Sequence, residues 1–205
     1  MACRRSAVSG ERQEDDVQRV AFIGDSITAN GDWETWFPDI EVANFGVPGY
    51  TTDDALATVD DIVAADPEEI YILIGTNDLG MRRSVEHLVR NIEVLLVHLR
   101  RELPGVRVLL QSIMPRGADF AHSIQDANIH LRQFSATVRA HYLDLWPSMA
   151  AEDGAIRAEL SDDGLHLNAH GYEAWLEELR PAVERLRGLP PMSRPIRIIP
   201  SEGQA

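Results

Sequence analysis

Five short apolar runs, each closed by small or polar residues, constrain the fold more than anything else in this sequence. They are "VAFIG" (20–24), "EVANFG" (41–46), "IYILIG" (70–75), "VRVLLQSI" (106–113) and "HYLDLW" (141–146). Several are continuous rather than alternating, which marks strands buried on both faces, as in parallel sheets. The segments between them carry helical spacing instead. Leu88, Ile92, Leu95, Leu96 and Leu99 form one stripe behind the N-cap candidate Ser84. Ile124, Ala127, Leu131, Phe134 and Val138 form a second. Tyr172, Trp175, Leu176, Leu179 and Val183 form a third, starting after Asn168 and expected to bend at Pro181. A shorter helix with Leu56, Val59 and Ile62 follows Thr51 and Thr52.

Strands alternating with helices predict an α/β domain of three layers, α/β/α, around a doubly wound five-stranded parallel sheet. Right-handed crossovers leave few topologies, and the flavodoxin-like order 2-1-3-4-5 is the expected one. The domain is expected over residues 19–187. Residues 1–18 are polar and charged and read as a disordered leader, with no apolar stretch behind Arg4 and Arg5 to make a secretory signal. Residues 188–205, "GLPPMSRPIRIIPSEGQA", hold four prolines and read as an extended tail. Through Ile196, Ile198 and Ile199 that tail could clasp its own domain or join two chains as a homodimer.

Charge narrows the partners. A net charge of −14 works against nucleic acid, whose phosphates must meet a basic surface, and against anionic membranes. No run approaches the ~20 apolar residues that span a bilayer, so membrane insertion is not expected. Cys3 is the only cysteine, which forbids an internal disulfide and makes the cytoplasm the default location. All 19 basic residues are arginine. Without lysine there is no P-loop, no Schiff-base cofactor site and no kinase or receiver-type lysine. No cofactor is called for.

In an open α/β sheet, ligands sit beyond the carboxyl ends of the strands. There the sequence places "GDSI", "NFGVPGYTT", "GTND" and, after the fifth strand, "SDDGLHLNAHGY". Ser26, Gly46, Asn77, Asp163 and His166 therefore converge on one edge. These are the parts of a hydrolytic serine site: a nucleophile, two auxiliary donors, a carboxylate and a base. A serine hydroxyl needs a positioned base, and an imidazole titrates in the right range. Asp163 stands three residues before His166, close enough to hold the imidazole from the same loop.

The four blocks "GDSI", "NFG", "GTND" and "DGLHLN", in this order, resemble the signature blocks of the SGNH, or GDSL-type, hydrolase superfamily. "NFGVPGYTT", "IMPRG" (113–117) and Asn128 are similar to its bacterial acyl-esterase and platelet-activating-factor acetylhydrolase-like branch. The resemblance spans residues 20–187. It implies a serine esterase that removes short acyl groups. Its oxyanion hole would be formed by the Ser26 and Gly46 backbone N–H groups and the Asn77 side-chain amide.

Plainer readings stand beside these. Ser26 could cap a helix, and Asn77 could be a turn residue. Asp25 and Asp78 read as loop hydrogen-bonding groups. Trp36 and Phe37 read as core. Asp25, Trp33, Tyr50, Met114 and Arg116 are the candidate substrate contacts, Arg116 for an anionic leaving group. His166 and His170 have a spacing that can ligate zinc, but no glutamate lies between them and Asn168 is a better helix start, so no metal is expected. The small-molecule substrate is expected to be a short acyl ester. Rival readings are a lysophospholipase or thioesterase, a carbohydrate O-deacetylase, a metal-dependent phosphohydrolase and a non-catalytic binding module.

Overall fold

The computed structural model describes residues 17–189. The chain runs β1 (Gln18–Gly24), α1 (Ser26–Ala29), α2 (Trp33–Trp36), β2 (Ile40–Gly46), α3 (Thr52–Ala57), α4 (Val59–Ala64) and β3 (Glu69–Leu73). It continues through α5 (Thr76–Gly80), α6 (Val85–Glu102), β4 (Arg107–Gln111), α7 (Ala121–Thr137), β5 (His141–Leu143), α8 (Trp146–Met149) and α9 (Ala169–Arg187). The five strands pair in parallel in the order β2-β1-β3-β4-β5, as expected.

Strand alternation explains the continuous apolar runs. Along β1, Val20 and Phe22 face one core while Ala21 and Ile23 face another. Along β3, Tyr71 and Leu73 join the first and Ile70 and Ile72 the second. α3, α4, α6 and α7 cover one face, while α1, α2, α8 and α9 cover the other. A strand sandwiched this way has no side to leave polar.

The long helices start where capping chemistry permits. Ser84 accepts from His87 N ahead of α6, and Asn168 accepts from Gly171 N ahead of α9. α9 runs unbroken through Pro181. The expected single helix after Thr52 is two, α3 and α4, divided at Thr58.

Several expectations need adjusting. Gln18 already belongs to β1, while residues 1–16 of the leader and 190–205 of the tail lie outside the described residues. The fourth and fifth strands stop at Gln111 and Leu143, short of the apolar runs that announced them. Beyond β4, the buried Asn128 side chain grips Ile113, accepting from its N (2.8 Å) and donating to its O (2.9 Å). That side chain takes over from the sheet in holding the segment that enters the site.

Trp33 is corrected from substrate contact to core. It is 2% exposed, stacks on Phe22 at 4.0 Å and meets Trp175 edge-on at 5.1 Å. Its Nε1 donates to Thr28 O at 2.8 Å. Such aromatic pairs contribute about 0.5–1.5 kcal/mol each beyond their area. Here they fasten α2 and α9 to the same face of β1.

Candidate active site

Register brings the site together. Gly24 pairs with both Gly46 and Leu73, so β1, β2 and β3 end level and release their loops at one edge. Asp25 follows at once and caps α1, its Oδ1 accepting from Ile27 N at 3.0 Å. The cap role open to Ser26 is thus filled by its neighbour. Ser26 is the first residue of α1, where a backbone N–H has no partner within the helix.

Ser26 Oγ lies 3.0 Å from His166 Nε2, across 140 residues of sequence. His166 Nδ1 donates to Asp163 Oδ2 at 2.7 Å, which selects the tautomer with a bare Nε2. The other carboxylate oxygen, Oδ1, accepts from His166 N (2.7 Å), Leu165 N (2.9 Å) and Ser161 Oγ (3.3 Å). The His166 ring bond, then the two backbone donors, hold Asp163 well below the usual carboxylate range. Its charge persists although the side chain is about half open to water. Asp25 behaves oppositely: burial pushes its carboxyl up to about 6.

Asn77 sits in the first turn of α5 and donates from Nδ2 to Tyr50 O at 2.9 Å. A side-chain amide carries a second N–H. The next residue, Asp78, is fully buried and accepts from Thr52 N (2.9 Å) and Thr52 Oγ1 (2.7 Å), with Arg83 Nη1 at 3.3 Å. Its expected loop-bonding role takes this form: it ties α5 to α3.

Gly46 does not fit its expected place as an oxyanion donor. Its N–H is committed to Asn44 Oδ1 at 2.9 Å. A Cβ there would lie 2.5 Å from Ala29 N, so this glycine instead lets α1 pack on β2. Gly49 stands differently. Val47 to Tyr50 form a turn closed by Tyr50 N donating to Val47 O (3.1 Å), with Gly49 at φ +83. Pro48 then Gly49 is the signature of a type II turn and could have been read from the sequence. The turn is tied to β1 by Val47 N donating to Gly24 O (3.2 Å) and to α5 through Tyr50 O. Gly49 N–H has no partner among the described residues.

A narrow, largely apolar cleft is lined by Asp25 and Ile27, which flank Ser26, by Leu165, which precedes His166, and by Thr76, Ile113 and Met114. Met114 is thus a lining residue. Tyr50 reaches the site through its carbonyl, and its side chain packs on the core. Arg116 donates to Thr76 O at 2.9 Å. Neither His170, two residues inside α9, nor any acidic group completes a metal cluster with His166; no group of three metal-binding side chains occurs among the described residues.

A hydroxyl, an imidazole, a carboxylate and free N–H groups gathered at one strand edge are a set with which acyl transfer can be carried out. The sequence matches the GDSL-like Lipase/Acylhydrolase family over residues 22–174, most of its length. The chain belongs to that family. This GDSL-like protein is similar to platelet-activating factor acetylhydrolase IB subunit alpha1 of Bos taurus. The two are 26% identical over 184 residues, covering 84% of this chain and 78% of the relative. Its fold is shared by a GDSL-like lipase from Bacteroides thetaiotaomicron (TM-score 0.72, 22% identity, 82% of this chain and 88% of that one). A carbohydrate esterase family 3 protein from Talaromyces cellulolyticus shares it too (TM-score 0.72, 16% identity, 85% and 100%). The GDSL-like protein is an ester hydrolase. No helix among its described residues is long and apolar enough to cross a membrane.

Proposed function

We propose that this GDSL-like hydrolase cleaves short-chain, acetyl-like esters through an acyl-enzyme on Ser26. The observation that carries the reading is the 3.0 Å approach of Ser26 Oγ to His166 Nε2, with Asp163 behind the ring. Ser26 Oγ attacks the ester carbonyl carbon while its proton passes to Nε2. The ester C–O bond breaks, and His166 returns that proton to the departing alcohol. Water then repeats the sequence, leaving a carboxylic acid and free Ser26. Asp163 holds the ring and offsets its transient positive charge. The Ser26 N–H, the second Asn77 amide hydrogen and the Gly49 N–H are the donors for the carbonyl oxygen as it becomes negative.

The short-chain preference is supported by the cleft. Ile27, Ile113 and Met114 crowd it with bulky apolar side chains, which suits a methyl or ethyl group. The relatives named as acetylhydrolases agree with that size. The lone-cysteine composition fits a cytoplasmic site of action.

A fluorophosphonate probe should label the wild type and leave Ser26→Ala unlabelled. Hydrolysis of p-nitrophenyl esters should peak at acetate or propionate, decline towards palmitate and survive EDTA. No labelling of either protein would mean a binding module, and equal labelling of both a nucleophile other than Ser26. A maximum at long chains would mean a lysophospholipase or thioesterase, and loss of activity in EDTA a metal enzyme.

A further inference from the structure

Arg116 leaves β4 in "IMPRG" and was a candidate contact for an anionic leaving group. Its surroundings argue otherwise. Nη1 donates to Thr76 O at 2.9 Å and approaches Thr76 Oγ1 at 3.5 Å. The guanidinium carbon lies 4.2 Å from the Phe120 ring centroid, so one face is covered. Burial is the main influence on its charge, and the Asp163 and Asp25 carboxylates already offset that cost without any incoming anion.

The same guanidinium reaches the far end of α5. A Cβ at Gly80 would sit 2.8 Å from Nη1. Arg116 therefore touches the first residue of α5 and fills the space left by the last, and between them stands Asn77. The carbonyl of Thr76 belongs to the peptide that leads into Asn77. A five-residue helix has no stability of its own, so tertiary bonds set its pose. Asp78 supplies them on the α3 side. Arg116 supplies them on the β4 side, and its own carbonyl accepts from Ile156 N (2.9 Å), which anchors the arginine backbone.

We infer that Arg116 is a positioning residue that clamps α5 so that the Asn77 amide stays aimed at the developing oxyanion. The inference rests on Asn77 being an oxyanion donor, as proposed above. Arginine suits the task because its planar head can stack on Phe120 and donate in-plane to a carbonyl at once. A lysine ammonium offers only the second.

Two measurements test it. Exchange of backbone amides in the 75–82 segment, followed by mass spectrometry, should accelerate at least ~10-fold in Arg116→Ala, as expected when local opening becomes easier. Unchanged exchange there overturns the clamp, whatever the enzyme's substrate. The second is a cycle on the neutral p-nitrophenyl acetate with Arg116→Ala, Asn77→Ala and both together, with Ser26→Ala as the reference for enzymatic turnover. Arg116→Ala should lower kcat roughly 10- to 100-fold with KM little changed, because a displacement of ~1 Å at a catalytic group can cost ~100-fold. In the Asn77→Ala background the same change should cost less than about 2-fold, since groups that act as one unit are not additive. Losses that multiply, or a loss carried by KM with kcat unchanged, overturn the inference. If Arg116→Ala does not fold, Arg116→Lys takes its place in both measurements, with a smaller shift in the same direction. Failure of the esterase reading would show as turnover unaffected by Ser26→Ala, and the exchange measurement would still decide the clamp.

Discussion

Asp25 and Ser26 divide two jobs that, in the sequence, both fit the serine. Asp25 caps α1 through Ile27 N, which frees the Ser26 hydroxyl for His166. The division burdens the aspartate, whose side chain is 1% exposed and whose carboxyl is pushed by burial from 3.8 to about 6. The unfolded chain releases this proton near pH 4, while the folded chain keeps it to about pH 6. The folded state therefore binds the extra proton, and this group's contribution to stability falls as pH rises through that window. Asp25→Asn keeps a capping oxygen and removes the charge. It should stabilise the protein at pH 8 relative to pH 4 by on the order of 2–3 kcal/mol, at ~1.4 kcal/mol per pKa unit. Urea unfolding of both proteins at both pH values checks this, and an equal difference at the two would remove Asp25 as the source. Asp163 has the reverse habit because donors, rather than burial, dominate its surroundings.

At the level of elements, the site is made by short pieces leaning on strand ends. α1 rests on β2 because Gly46 has no side chain: a Cβ would lie 2.5 Å from Ala29 N and 2.8 Å from Thr28 C, both backbone. Gly46→Ala must push α1, and Ser26 with it, away from β2. Overpacking of this kind typically costs about 1–3 kcal/mol. The variant should unfold at lower urea and lose turnover, and a wild-type midpoint with full activity would refute the close-packing role. The helices α6, α7 and α9 were legible because their periods repeat over many residues, and α6 and α9 also carry local side-chain caps. α5 and α8 were not. Four- or five-residue turns show no period, and the bonds that form them, such as Asp78 to Thr52, cross between distant segments.

Across the whole molecule, the last helix is bolted to the middle of the sheet at the end opposite the site. Glu69 is fully buried where β3 begins. It accepts from Arg187 Nε and Nη2 (3.0–3.1 Å), from Gln18 Nε2 (2.9 Å) and from the Tyr71 hydroxyl. The bolt keeps α9 against the sheet, and α9 begins just beyond the His166 loop. Removing one partner of a buried pair strands a charge, at about 3–5 kcal/mol. Because Arg187 keeps about a third of its exposure, Arg187→Ala should cost less, roughly 2–3 kcal/mol in urea unfolding. Adding Glu69→Gln should restore part of it. A loss in the double variant as large as the single would show that the stranded carboxylate is not the cause.

Sequence by itself determined the layers, the strand order and which loops meet, because burial on both faces writes continuous apolar runs and parallel crossovers have one hand. It also put forward Ser26, Asn77, Asp163 and His166 as candidates by residue type and block order. Only the tertiary structure decided which N–H groups are free. Gly46 and Gly49 look equally available in "NFGVPGY", yet Asn44 occupies the first and the turn around Pro48 leaves the second open. It likewise sent Trp33 to the core and Arg116 to the back of α5. A donor's availability and a side chain's direction depend on partners brought in from elsewhere in the chain, and no local pattern records them.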